Sequence, residues 1–179
     1  MQTKAEPKDL ENVKSYQLFF GRYLLFFVMG QLQALIIVLG DIYILHCQIL
    51  YPGWFWLVAS LASVTFTLLI YSLALSFGDV GKALAVVIMV IQIAGSGGTF
   101  PIELLPAVYR NIYIFFPFPY AINAMRETIG GMYGSDYMKN LSELMIFAVV
   151  GLLIGLVIRI PFVKLNHFVE KRMEDTKMM

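Results

Sequence analysis

Apolar positions come in long runs along this chain, and polar positions gather where the runs end. Residues 18–40 read LFFGRYLLFFVMGQLQALIIVLG. At ~1.5 Å per residue, that run is long enough for a hydrocarbon core of ~30 Å. Arg22 lies near its start, where a long side chain can snorkel to the interface. Residues 54–77 read WFWLVASLASVTFTLLIYSLALSF and carry no charge. Pro52 and Gly53 mark a turn before this run, and Tyr51, Trp54 and Trp56 stand where an interfacial aromatic belt would. The turn GDVGK at 78–82 leads into a third run at 83–98. A fourth run, 144–158, is bounded by Glu143 and Arg159. The pattern predicts an all-α, polytopic membrane helix bundle with four transmembrane helices, at about 18–40, 54–77, 83–98 and 142–160. These lie in a membrane domain over 18–163, between a cytoplasmic segment 1–17 and a cytoplasmic tail 164–179.

Residues 99–141 break the pattern. They are too apolar for a simple loop, and Pro101, Pro106, Pro117 and Pro119 interrupt them too often for one span. Short helices over 107–116 and 120–129 fit, each far below the ~20 residues a span needs. The region reads as a re-entrant or interfacial helical pair between the last two spans. Irregular backbone at membrane depth must be covered by protein or water.

Composition agrees with lipid as the solvent. The chain has 179 residues, 59% of them hydrophobic and 14% charged, with mean hydropathy +0.75. Soluble domains carry roughly 25% charged residues. A net charge of +1 argues against nucleic acid as a partner. With the N-terminus inside, the inner side holds ten basic residues: Lys4, Lys8, Lys14, Arg22, Lys82, Arg159, Lys164, Lys171, Arg172 and Lys177. The outer side holds three: Arg110, Arg126 and Lys139. That asymmetry predicts a multi-pass protein of the cell membrane with both termini cytoplasmic. The polar stretch 1–17 does not have the layout of a secretory signal. Cys47 is the one cysteine, so no intramolecular disulfide forms.

Little in the chain reads as chemistry. GDVGK is not a phosphate loop, because Ser76 and Ala83 stand where that motif needs Gly and Ser or Thr. It is a tight turn, and Asp79, Gly81 and Lys82 are candidates for a coupling contact with a cytoplasmic partner. Gln31, Gln33 and Gln92 fall within spans, and each amide needs a partner helix or a polar path. GLLIG at 151–155 offers small residues for close helix packing, within the chain or between copies. Arg126 is a candidate partner for Glu103 across the two short helices, while the adjacent Glu127 faces elsewhere. His46 and His167 lack neighbours at ligand spacing, so no metal or other cofactor is expected. No nucleophile–base set or paired carboxylates converge, so the chain does not read as an enzyme.

The stretch GSGGTFPIELLPAVYRNIYIFFPFPYAINAMRETIGG at 95–131 resembles the C-terminal membrane region of the YhgE/Pip, or phage infection protein, family. GRYLLFF at 21–27, QALIIVLGD at 33–41 and SFGDVGKALAVV at 76–87 support it in the same order. The glycines and prolines after a span, followed by Pro119-Tyr120-Ala121 before Arg126, link the chain more loosely to the type-2 ABC transporter permease superfamily. The resemblance implies that relatives are longer, with a further span, an ectodomain and a second span ahead of this region. It also implies re-entrant helices on the outer side between the last two spans. Gly95, Gly97 and Gly98 would then end the third span, Pro101 and Pro106 would redirect the chain, and Glu103 would sit near the outer mouth. Two functions follow. One is permease-like export of an envelope-related or amphipathic substrate, driven by a separate ATPase docked on residues 1–17 and the Asp79–Lys82 turn. The other is a structural membrane anchor for a cell-surface domain serving phage attachment, adhesion or secretion. Expected partners are the lipid bilayer, the ATPase, and another copy or a chain supplying further spans.

Overall fold

The computed structural model describes residues 15–98, 104 and 107–158. Among them every regular element is helical. Helix α1 runs over Ser15–Leu39 and ends in a π-helical turn, Gly40–Ile44. Helix α2 covers Pro52–Gly95, and short α3 covers Ala107–Ile112 before a 3₁₀ turn at Tyr113–Phe115. Helix α4 spans Pro117–Gly130, and α5 spans Asp136–Leu153, closed by a π-helical turn at Ile154–Ile158. Three stretches are long and apolar enough to cross a membrane: Tyr16–Ile44, Pro52–Ile93 and Asp136–Val157.

The second of these is 42 residues long. As one straight helix it would reach about 63 Å, twice a hydrocarbon core. It is not straight. Gly78 has φ 60° and ψ −130°, outside the helical region and open to glycine because it lacks a Cβ. A Cβ at Gly81 would run into the Leu73 carbonyl, eight residues back. Residues that far apart on a straight helix are separated by about 12 Å. The chain therefore doubles back at Gly78, and α2 is a hairpin of two arms. The expected runs 54–77 and 83–98 correspond to these arms.

The first arm is the hub. Helix α1 packs antiparallel to it, pairing Phe19 with Tyr71, Tyr23 with Thr67, Gln31 with Ser60 and Val38 with Phe55. Helix α5 runs parallel to it: Tyr137 Oη donates to Trp54 O, Thr65 Oγ1 to Leu144 O and Ser76 Oγ to Ile154 O. Helix α4 is antiparallel, with Thr128 O accepting from Tyr51 N, Ala124 on Val58, Ala121 near Ala62 and Phe118 against Phe66. The start of α1, the Gly78 turn and the end of α5 thus gather at one end of the bundle. The connections 45–51 and 131–135 lie at the other.

Small residues permit this closeness. A Cβ at Gly30 would lie 2.7 Å from Ser63 Oγ, and one at Gly151 3.3 Å from the Leu69 nitrogen. At Gly155 it would strike the Phe19 ring and lie 2.6 Å from Ser72 Oγ. Both glycines of GLLIG therefore pack inside the chain.

Hydroxyl side chains share the interior with apolar ones, while large apolar side chains face outward. Thr65, Ser72, Ser76 and Thr128 are fully buried, whereas Ile36 is 69% exposed. Only 22%, 33% and 17% of the most apolar windows of the three long stretches are buried. Such surfaces suit lipid, where small residues and interhelical hydrogen bonds hold helices together.

Candidate functional site

The second arm of α2 ends against α4, and the residues expected at the GSGG break meet there. Gly97 has φ 72°, again a glycine conformation. Its carbonyl accepts a hydrogen bond of 2.6 Å from Arg126 Nη2. Gly98 N donates to Ser96 Oγ at 3.4 Å, and a Cβ on Gly98 would lie 3.0 Å from Ile122 Cδ1. Gly95 and Gln92 join Ser96, Tyr113, Phe116 and Pro119 around a small cleft. Gln92 is 4% exposed, and its Oε1 has no hydrogen-bond partner among the described residues.

Local chemistry explains α4. Phe116 is extended (φ −121°, ψ 144°), as a residue before proline prefers, and Pro117 opens the helix where no N–H is needed. Pro119 falls in the same first turn, and both prolines are buried. Tyr120 Oη donates to Ile114 O at 2.9 Å, tying α4 to the 3₁₀ turn. Arg126 and Glu127 diverge as their adjacency predicts, and Glu127 Oε2 accepts from Tyr133 N at 2.7 Å. Pro101, Glu103 and Pro106 lie outside the described residues, as does the expected Glu103 to Arg126 pair.

The turn candidates form a second, separate feature at the Gly78 end. Lys82 Nζ lies 2.8 Å from Asp79 Oδ1, with both side chains mostly solvent-facing. That hydrogen bond and the Lys82 charge hold the Asp79 carboxyl below its ordinary pKa. Gly81 is required by the close approach to Leu73. Residues 1–14 and 159–179, with the rest of the expected cytoplasmic surface, lie outside the described residues.

The three glutamines do not converge. Gln31 exchanges hydrogen bonds with Ser60, donating Nε2 to its carbonyl at 3.2 Å and accepting from its Oγ. Gln33 is exposed, and Gln92 faces α4. Residue type alone did not reveal the hydroxyl ladder on α2, in which Ser60, Thr65, Thr67 and Ser76 each bond a neighbouring helix. A usable signal was present: Ser60 and Thr67 stand at i, i+7 on one helix face, and Thr65, Ser72 and Ser76 at i, i+7, i+11 on another, in a run otherwise apolar. Among the described residues no group of three or more His, Cys, Asp or Glu side chains could hold a metal.

Helices long and apolar enough to cross a membrane agree with what comparison with known proteins finds. Residues 12–157 match the family model described as "ABC-2 family transporter protein". The chain is also similar to the "Uncharacterized protein YhgE" of Bacillus subtilis (strain 168), at 30% identity over 163 residues. That alignment covers 90% of this chain and 20% of the relative, so the chain spans about a fifth of the relative's length. No solved structure matches. The family match over most of the chain, with the YhgE likeness beside it, places this protein in the ABC-2 transporter family, as a YhgE-like, permease-type membrane region.

Proposed function

We propose that this region is the membrane permease domain of a type-2 ABC exporter. Both termini are cytoplasmic, and the chain crosses four times, at about 18–40, 54–77, 83–98 and 142–160. Residues 99–141 re-enter the membrane from the outer side. The domain moves an envelope-related or amphipathic substrate, and a separate ATPase supplies the energy.

The observation that carries this reading is the depth of α4. It is a 14-residue helix that starts beside Phe66, near the middle of the first α2 arm, and climbs to the Tyr51 end. A half-length, proline-led helix braced by full-length neighbours supports a re-entrant limb, whose irregular start is covered by protein. The bundle end shared by the α1 start, the Gly78 turn and the α5 end supports an even number of crossings. Arg22 and Lys82 at that end support its being the inner one. The exposed Asp79 to Lys82 turn is the described surface we assign to ATPase coupling.

The test is co-purification from native membranes through a tag after Met179. An ATPase subunit is expected to accompany the wild-type chain and to be lost on Asp79→Lys with Lys82→Glu. Absence of any ATPase from the wild-type preparation would reject the exporter reading.

A further inference from the structure

The cleft at the end of the second α2 arm encloses a polar group with nothing to bond. Gln31, Thr65 and Ser76 reach partners on neighbouring helices, but Gln92, only 4% exposed, leaves its Oε1 without one among the described residues. A buried amide oxygen with no hydrogen bond is costly. Water does not relieve it, because the cleft closes too tightly around the amide to hold one. The facing wall is short of donors. Of the N–H groups that a helix start leaves free, Pro117 and Pro119 have none and Phe116 N already donates to Tyr113 O, so Phe118 N alone remains at the start of α4. No Asp, Glu, Lys, Arg or His is among the residues lining the cleft, and Ile112, Tyr113, Phe116 and Pro119 give it apolar and aromatic walls. Among the described residues α3 and its 3₁₀ turn touch the rest of the bundle chiefly through α4. That wall can therefore move with little loss of packing.

We propose that this cleft is a binding site, closed in this structure, for an uncharged hydroxyl or amide group carried on an apolar molecule. Movement of the α3 wall opens it. The Gln92 amide offers both an acceptor and a donor, which a hydroxyl or a second amide answers with a donor and an acceptor of its own. Apolar and aromatic walls around a small number of polar groups are the ordinary make-up of a small-molecule site. A charged head group does not suit it, because no opposite charge lines the cleft to offset its desolvation. The site stands on the geometry of the second α2 arm, α3 and α4, while the identity of its occupant as cargo rests on the exporter reading.

The test is protection from thiol labelling in membrane fragments, in a Cys47→Ser background because Cys47 is exposed. Ser96→Cys places the reporter thiol in the cleft, and Ile112→Cys gives a second reading from the opposite wall. The reagent is methyl methanethiosulfonate, small and neutral. Three probes of equal chain length are added below their micelle concentrations: octyl glucoside, octyltrimethylammonium and octyl sulfate. Octyl glucoside is expected to slow labelling by a factor of 1 + [L]/Kd, about threefold where [L] is about 2 Kd. The two charged probes are expected to leave the rate unchanged. No labelling at either position, no protection, or equal protection by all three probes would overturn the site, as would protection by a charged probe alone. Gln92→Met, of similar length but with no amide, is expected to abolish the protection and to raise the denaturation midpoint of the purified chain, because it removes an unbonded buried oxygen. Protection retained in Gln92→Met would overturn the site. A lowered midpoint or a failure to fold would also overturn it, since the amide would then already be bonded within the chain. No step involves an ATPase, so the site and the exporter reading fail separately.

Discussion

Gly155 offers the sharpest test of how the helices are held together. Replacing it with Ala adds one methyl where the Phe19 ring and Ser72 Oγ already stand. Phe19 is fully buried and packs on Tyr71, so its ring has little room to withdraw. Overpacking of this kind costs about 1–3 kcal/mol. Against it stands the helix preference for Ala over Gly, up to about 1 kcal/mol. The net expectation is a loss of about 0–2 kcal/mol for Gly155→Ala, and a larger one for Gly155→Leu. Gly21 is the internal control, because nothing lies within 4 Å of a Cβ there. Gly21→Ala keeps only the favourable term, so the two alanine variants should differ by about 1–3 kcal/mol. Unfolding of the purified chain in mixed micelles, followed by the fluorescence of Trp54 and Trp56, measures the difference. Equal stability of the two variants would refute the close α1–α2–α5 crossing at Gly155.

Gly78→Ala forces a Cβ into φ 60°, ψ −130° and is expected to cost about 1–3 kcal/mol in the same assay. A neutral result would mean that the α2 hairpin turns elsewhere. Gln31→Leu removes the exchange with Ser60 and should cost about 0.6 kcal/mol and no more than about 1.7, the average and the maximum for hydrogen bonds between membrane helices. Gln33→Leu, on the exposed face, should leave the stability of the single chain unchanged.

The lengths of the apolar runs gave most of the architecture, because a bilayer converts length directly into helix. The 18–40 run became α1, the 54–77 and 83–98 runs became the arms of α2, and the Gly-Asp punctuation fell on the reversal at Gly78. The short helices expected at 107–116 and 120–129 appear as α3 with its 3₁₀ turn and as α4. The start of α5 was harder to read. Charges near Glu143 end the apolar run, whereas the helix begins at Asp136, where Tyr137 anchors it to Trp54 O. Facing was the main loss. A helix apolar all round carries no stripe to orient it, so Gln31 and Gln33 look alike in sequence and end on opposite faces. The Arg126 bond to Gly97 O was equally hidden, because a backbone carbonyl has no residue signature.

Sidedness of the Gly78 turn tests the four-crossing permease most directly. Cys47, native and exposed, lies in the connection 45–51, and Val80, 73% exposed, lies in the turn. With a membrane-impermeant maleimide on intact cells, Cys47 should label in the wild-type chain. The Cys47→Ser, Val80→Cys variant should label only after permeabilisation. Labelling of position 80 in intact cells, with Cys47 shielded or on the same side, would contradict both the hairpin crossing and the cytoplasmic coupling turn.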